Sequence, residues 1–371
     1  MKISLITIYQ DNYGSTLQCL ATQELFEKLG AGVEIVDYWP ERYSIKGRII
    51  RLKGKNKKFK NPLILNIARL IILPSYLKRR YVFNKFTKNQ LNLTSRKYGS
   101  YQELEESPPK ADVYCTGSDQ TWNSLWNEGV DKTFFLCYAP ENKPRVSYAS
   151  SIGNSNISKA EAQEIVPYLK KYNYISVRED KGVELLTDLG ISNVIQCLDP
   201  TLLLDTNYWI NLITDKYKGK RYVVTYNLHR DPNIDKFAQS VADKYNLKIY
   251  NIAYNWHDII RKGYLKWCPR VEDFLDLIKN ATFVVADSFH ATVFSLLFHT
   301  EFVSILPEEA SSRIVSLLHA MGLDERACIG SPDISLLDNA INFEKTDKKL
   351  QELRNDSDNY LVSIIEEFGS N

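Results

Sequence analysis

The sequence predicts an α/β protein of two domains, each built around a parallel sheet. Its 371 residues exceed what one hydrophobic core usually organises. Short apolar runs alternate with segments of helical spacing along both halves of the chain. The run Phe283-Val284-Val285-Ala286 passes directly into Asp287-Ser288-Phe289-His290-Ala291-Thr292 and then a helical pattern, as expected where a buried strand turns into a helix.

Taken in order, Lys2 to Ile8 reads as a strand and Tyr9 to Ser15 as a polar turn. Leu17, Leu20, Ala21, Leu25, Phe26 and Leu29 then recur at helical spacing until Gly30, and Val33 to Val36 forms the next strand. This is a βαβ unit whose loop, Asp11 to Ser15, faces the ligand edge of the sheet; a lone Gly14 is no dinucleotide fingerprint. Between Glu41 and Glu103 the chain has seventeen basic residues, among them Lys57, Lys58 and Lys60, and no acidic one. They surround an apolar segment, Pro62 to Leu73. An apolar helix flanked by cations suits an anionic membrane surface; the other reading is a solvated excursion whose helix packs on the first domain. No recognition module accompanies the charge, so nucleic acid is not expected.

Strands follow at Ala111 to Cys115, Arg145 to Ala149, Ile175 to Val177 and Val194 to Leu198, with a helix at Lys159 to Lys171. The loop Thr116-Gly117-Ser118-Asp119-Gln120-Thr121-Trp122-Asn123 is small, polar and beside an aromatic, which suits a sugar, or else a tight turn with an Asp-capped helix. Arg178 stands at a strand end, where its fork of donors can clamp a carboxylate or phosphate, or pair with Glu179 or Asp180. In the second half, strands at Tyr222 to Tyr226, Lys248 to Ile252 and Phe302 to Ile305 alternate with helices at Ile234 to Tyr245, Val271 to Asn280 and from Ser312, and the last helix runs from about Lys348 to Phe368. His290, in the first turn of its helix, is placed to protonate an anion held by the free amide groups there, with Asp287 or Ser288 as the cap; alternatively it only packs.

A hydrophobic fraction of 44%, a charged fraction of 25% and a net charge of +2 are ordinary for a globular protein and select no partner. The six cysteines and five histidines show no metal-ligand spacing. With no secretory signal or membrane-spanning run in the sequence, a cytoplasmic protein is expected.

Together, Asn12-Tyr13-Gly14-Ser15-Thr16-Leu17-Gln18, the Thr116 to Asn123 loop, Ser176-Val177-Arg178-Glu179, Leu198-Asp199-Pro200-Thr201, Asp287 to Thr292 and Ser312-Arg313-Ile314 resemble the polysaccharide pyruvyl transferase family over roughly residues 2 to 325. The resemblance implies two Rossmann-like domains arranged as in GT-B glycosyltransferases, with phosphoenolpyruvate as donor and a saccharide as acceptor. The expected division is an acceptor-side domain at 1–175 carrying the basic insertion at about 42–102, a donor-side domain at 176–345, and a helix at 346–371 that packs back.

In that chemistry His290 is the candidate general acid, while Arg178, Ser288, Phe289 and Arg313 are the donor-side residues. Asp11, Asn12, Tyr13, Gly14, Ser15, Asp119 and Gln120 are the acceptor-side residues, and no metal or cofactor is required. The pattern departs at Ser288, where family members often carry arginine; Arg313 is the expected substitute. A lipid-linked acceptor would account for the basic insertion and would place the protein at the inner face of the cytoplasmic membrane. Two other readings are a GT-B glycosyltransferase using a nucleotide-sugar and a non-catalytic glycan-assembly protein on the same fold.

Overall fold

The structure is a computed structural model described over residues 1–55, 59, 61–153, 157–306 and 312–369. Lys57, Lys58 and Lys60 of the basic run lie outside the described residues. Strands β1 (Lys2–Ile6), β2 (Gly32–Tyr38), β3 (Leu93–Tyr98), β4 (Val113–Thr116) and β5 (Arg145–Ser147) form a parallel sheet in the order β3-β2-β1-β4-β5. The central pairings set Ile3 beside Val33 and Leu5 beside Cys115 on one face of β1, while Ile6 packs into a second apolar core on the other, so both faces need cover.

Strands β6 (Ile175–Val177) and β7 (Val194–Gln196) pair with each other. Bridges from Val146 to Tyr174 and from Ser150 to Val177 attach them to β5. The expected division at 175/176 therefore cuts through the first sheet. Arg178, assigned from sequence to the second domain, stands at the end of a strand that extends the first one.

The second sheet comprises β8 (Tyr222–Tyr226), β9 (Lys248–Ala253), β10 (Tyr264–Trp267), β11 (Phe283–Ala286), β12 (Phe302–Ile305) and β13 (Ala327–Cys328), in the order β10-β9-β8-β11-β12-β13 and parallel throughout. Both sheets thus have the doubly wound order in which the chain runs outward from the centre one way and then the other. Ligands bind such sheets at the carboxyl edge, beside the point of reversal.

Two helices carry that edge into the interdomain region. Tyr13–Lys28 follows β1, capped by the Asn12 side chain on Ser15 N, so Tyr13, Gly14 and Ser15 form the first helical turn rather than a loop. Phe289–Leu297 follows β11 and is buried along its whole length. A single apolar core contains Leu17, Leu20 and Phe26 of the first helix together with Ala291, Val293 and Phe294 of the second, so the domains share buried surface. The last helix, Phe343–Gly369, returns to the first domain: Tyr360 Oη donates to Ser147 O at 2.6 Å, and Leu198 N donates to Ser357 Oγ at 2.9 Å.

Within the basic insertion, Ile45–Lys55 and Pro62–Gln90 are helical. The second is far longer than its apolar segment suggested, because Val82, Phe83 and Phe86 extend it into the core.

Candidate functional site

The site is organised by Asp199, which lies where the chain leaves the first sheet and caps the short helix Pro200–Leu203. Its Oδ1 accepts from Thr201 N at 3.0 Å and Thr201 Oγ1 at 2.6 Å. Its Oδ2 accepts from Arg178 Nη1 at 2.5 Å and Ser118 Oγ at 3.3 Å, and lies 3.5 Å from His290 Nε2. Burial opposes ionisation of Asp199, but His290, Arg178 and the hydrogen bonds outweigh it and hold the carboxyl well below the usual range. Arg178 accordingly pairs with a residue 21 positions away, and not with Glu179 or Asp180. Glu179 accepts from Ser151 Oγ, Ile152 N and Gly153 N.

Arg178 uses only one end of its guanidinium in this pair. Nε and Nη2, the edge that clamps a carboxylate or phosphate with two parallel bonds, are buried and have no hydrogen-bond partner. Asp119 Oδ1 lies 3.8 Å from Nη2, close enough for an ion pair but too far for a hydrogen bond. Burial works against the charge of Arg178, but Asp199, Asp119 and Glu179 outweigh it and raise its pKa.

Arg313 approaches from the first turn of the helix Ser312–Met321, with Nη1 3.9 Å from the same Asp119 oxygen, and its Nε is also buried and unpartnered. Burial and the neighbouring Arg178 push Arg313 down to about 10, which leaves it charged at neutral pH. The Phe289 ring supports both guanidiniums, 4.7 Å from Arg178 Cζ and 5.9 Å from Arg313 Cζ. Arg178, Asp199, Phe289 and Arg313 line a cavity of about 200 Å³ together with Ser316 and Leu317 of the Arg313 helix and Leu353, Asp356 and Ser357 of the last helix.

His290 meets the first domain at Gly14. A Cβ built on Gly14 would stand 2.0 Å from His290 Nδ1, so only glycine lets the two helix N-termini approach this closely. His290 Nε2 is buried, faces Asp199 and has no hydrogen-bond partner. The surroundings of His290 are therefore polar and are contributed by both domains.

Of the remaining acceptor-side residues, Ser15 and Asp119 come together, Ser15 Oγ donating to Asp119 Oδ2. Asp119 itself adopts a left-handed backbone, φ 74°, that turns its carboxylate toward the two arginines. Asn12 is committed to capping. Asp11, also left-handed, pairs with Arg48 at 2.9 Å, and its carbonyl accepts from Arg79.

Three placements differ from expectation. Tyr13 is fully buried, stacked 4.3 Å from Phe274 with its hydroxyl on Pro269 O at 2.6 Å, so it holds the domains together and presents nothing to an acceptor. Ser288 is the helix cap, one of the two caps expected, but with its Oγ engaged by Ala291 N it is not free for the donor-side role also expected of it; Asp287 accepts from Leu228 N and His229 N. The Gln120 side chain is held by Asn123, with its Oε1 accepting. Asp199 was legible only as a bend before Pro200; its motif stood among the recurring ones, but nothing in its spacing announced that it joins Arg178 to His290.

Residues 12–309 match the family model described as polysaccharide pyruvyl transferase. No curated protein matches the chain significantly. Among solved structures, the fold is similar to the UDP-GlcNAc 2-epimerase from Neisseria meningitidis bound to UDP-GlcNAc, with TM-score 0.52, 11% identity and coverage of 100% of each chain. It is also similar to the UDP-N-acetylglucosamine 2-epimerase from Rickettsia bellii, with TM-score 0.54, 10% identity and coverage of 99% of this chain and 95% of that one. At such identities the likeness is one of fold: two α/β domains in the GT-B-like arrangement.

Proposed function

Since the chain belongs to the polysaccharide pyruvyl transferase family, we propose that it transfers the enolpyruvyl group of phosphoenolpyruvate onto a saccharide as a pyruvate ketal, in the assembly of a cell-surface or exported polysaccharide. The observation that carries this reading is the edge of Arg178 without a hydrogen-bond partner, buried beside Arg313 where both arginines line a cavity of small-molecule size, with His290 next to it on the far side of Asp199. Buried cationic donors without partners are costly, and a ligand with two anionic groups would satisfy them.

His290 delivers a proton to the methylene carbon of the enol, forming a methyl group and a cation at the adjacent carbon. Arg178 and Arg313 hold the donor's carboxylate and phosphate and stabilise the latter as it departs. One saccharide hydroxyl adds to the cation and gives up its proton. The bond to phosphate then breaks, and a second hydroxyl completes the ketal. Two hydroxyl protons are thus accounted for, one in the new methyl group and one on inorganic phosphate. Asp199 holds Arg178 and serves as counter-ion to His290 in its acid form. The acceptor enters from the side of Ser15 and Asp119, and the reading takes it in lipid-linked form at the inner face of the membrane.

Calorimetric titration with phosphoenolpyruvate, beside UDP-glucose and GDP-mannose, tests the donor. Saturable binding of phosphoenolpyruvate that Arg178→Ala weakens by about 1.5–3 kcal/mol, the scale of a charge-assisted contact, is expected. Binding of a nucleotide-sugar alone would replace pyruvyl transfer with glycosyl transfer. Silence from all three, with a His290→Ala protein that still supports polymer assembly, would leave an assembly role without chemistry.

A further inference from the structure

The first half of the helix Pro62–Gln90 lies on the protein without being buried in it. Leu63, Ile67, Leu70 and Leu77 fall at helical spacing and are exposed, Leu63 and Leu70 to 70% and 71%. Ile64, Ile71 and Leu73 widen the stripe. The second domain adds to it. Trp256 Nε1 donates to Ile71 O at 2.7 Å and Trp256 N to Ser75 Oγ at 3.0 Å, which brings the turn Trp256–Ile260, with Ile259 and Ile260 exposed, beside the helix.

So large an exposed apolar surface marks a contact site. No helix among the described residues is long and apolar enough to cross a membrane, so this one can lie on a bilayer but not span it. Charge selects the occupant. From residue 42 to residue 102 the chain carries no acidic side chain and seventeen basic ones; Arg42, Arg48 and Arg51 are paired within the protein, while Arg69 is exposed on the apolar half of the helix and Lys85 and Lys88 are exposed further along it. Asp258, in the adjoining turn, is paired with Arg230. A second copy related by a two-fold axis would set this acid-free helix against itself, whereas anionic lipid complements it. Trp256, half-exposed with its indole N–H satisfied, is the residue type that anchors at the headgroup level.

We propose that this face, formed by the exposed turns of Pro62–Gln90 and the turn Trp256–Ile260, docks the protein on an anionic membrane surface. The same helix leads from the stripe to the site: Arg79, just beyond Leu77, donates to the Asp11 carbonyl and stacks 3.9 Å over Tyr254. Asp11 immediately precedes the turn whose Gly14 touches His290. The docked face therefore lies at the acceptor side of the cleft. This deepens the reading of a lipid-linked saccharide acceptor and rests on it for its purpose, but binding to lipid is measured without it.

The test is co-sedimentation of the full chain with vesicles of phosphatidylcholine, and with vesicles in which about a third of the lipid is phosphatidylglycerol. The wild type is expected to bind the anionic vesicles at least about tenfold more tightly than the neutral ones, and to lose most of that preference in high salt. Ile67→Glu/Leu70→Glu, at exposed positions that leave thermal unfolding unchanged, is expected to weaken vesicle binding about tenfold or more while calorimetric binding of phosphoenolpyruvate stays as in the wild type. Two outcomes overturn the membrane face: equal binding of both proteins to vesicles, or a mass that doubles with concentration in the wild type and not in the variant, which would assign the stripe to a second copy. Vesicle binding without any response to phosphoenolpyruvate would leave the membrane face standing and remove the donor assignment instead.

Discussion

At the scale of single residues, the site depends on two contacts that no side chain can share. Gly14 gives His290 its place, and alanine there requires the imidazole to move, since the added carbon falls 2.0 Å from Nδ1. Gly14→Ala should therefore lose about 1–3 kcal/mol of stability, because overpacking against the buried imidazole outweighs the gain in helix propensity, and lose transfer activity by about tenfold or more. Thermal unfolding beside an assay of phosphate release separates the two effects. Asp199 is the second contact. Because its folded carboxyl is held below the ordinary value, its stabilisation is complete above that value and is lost as pH falls toward the folded one. Asp199→Asn should cost about 3–5 kcal/mol at neutral pH by leaving Arg178 buried without its carboxylate. The gap to wild type in denaturant melts should narrow as the pH is lowered below about 4. These two residues also mark what the sequence could and could not disclose. His290, Arg178 and Arg313 were legible because each opens a helix or ends a strand at a ligand edge. The role of Asp199 was not, because it is created by folding, which brings together a bend, a strand end and a helix start from distant parts of the chain.

At the scale of elements, the central strands were legible and three of the outer ones were not, although β5 and β7, also at sheet edges, were expected. The strands β3, β10 and β13 were missed, and each lies at the edge of its sheet. An edge strand has one covered neighbour and keeps polar side chains such as Arg96, Lys97 and Lys266, so neither a continuous apolar run nor clean alternation survives. The helix Pro62–Gln90 was read only over its apolar first half. Its second half hides Val82, Phe83 and Phe86 among basic residues and packs them into the core, where Phe83 meets Tyr13 at 5.0 Å. The two halves should therefore answer mutation in opposite ways. Phe83→Ala is expected to cost about 3–5 kcal/mol of stability by opening a cavity. Leu70→Glu is expected to cost less than about 0.5 kcal/mol, since no contact is lost at an exposed position. Urea denaturation of the two variants checks the contrast, and equal costs would mean that the first half is buried in solution.

At the scale of the whole molecule, the two sheets are bound together around the site. The Tyr13 stack, the shared core of the two central helices and the return of the last helix all join the domains. An anion held by Arg178 of the first sheet and Arg313 of the second would add one more link across the cleft. Saturating phosphoenolpyruvate should accordingly raise the melting temperature of the wild type, by the equivalent of about 2.7 kcal/mol at a hundredfold excess over its dissociation constant, and that of Arg178→Ala by only about 0.3–1.3 kcal/mol at the same concentration. A shift of equal size in both proteins would place the donor elsewhere. The fold at this scale was legible in the alternation of strands and helices, but the boundary was not. A strand gives no sign in its own residues of which sheet it will join, and β6 was assigned to the wrong side for that reason.

The close approach of Gly14 to His290 has a kinetic consequence. If His290 acts as the acid proposed above, the shared core that keeps the two helix N-termini together also fixes how far that acid can stray from the donor. A substitution that loosens the interdomain packing would then slow proton transfer without touching either residue.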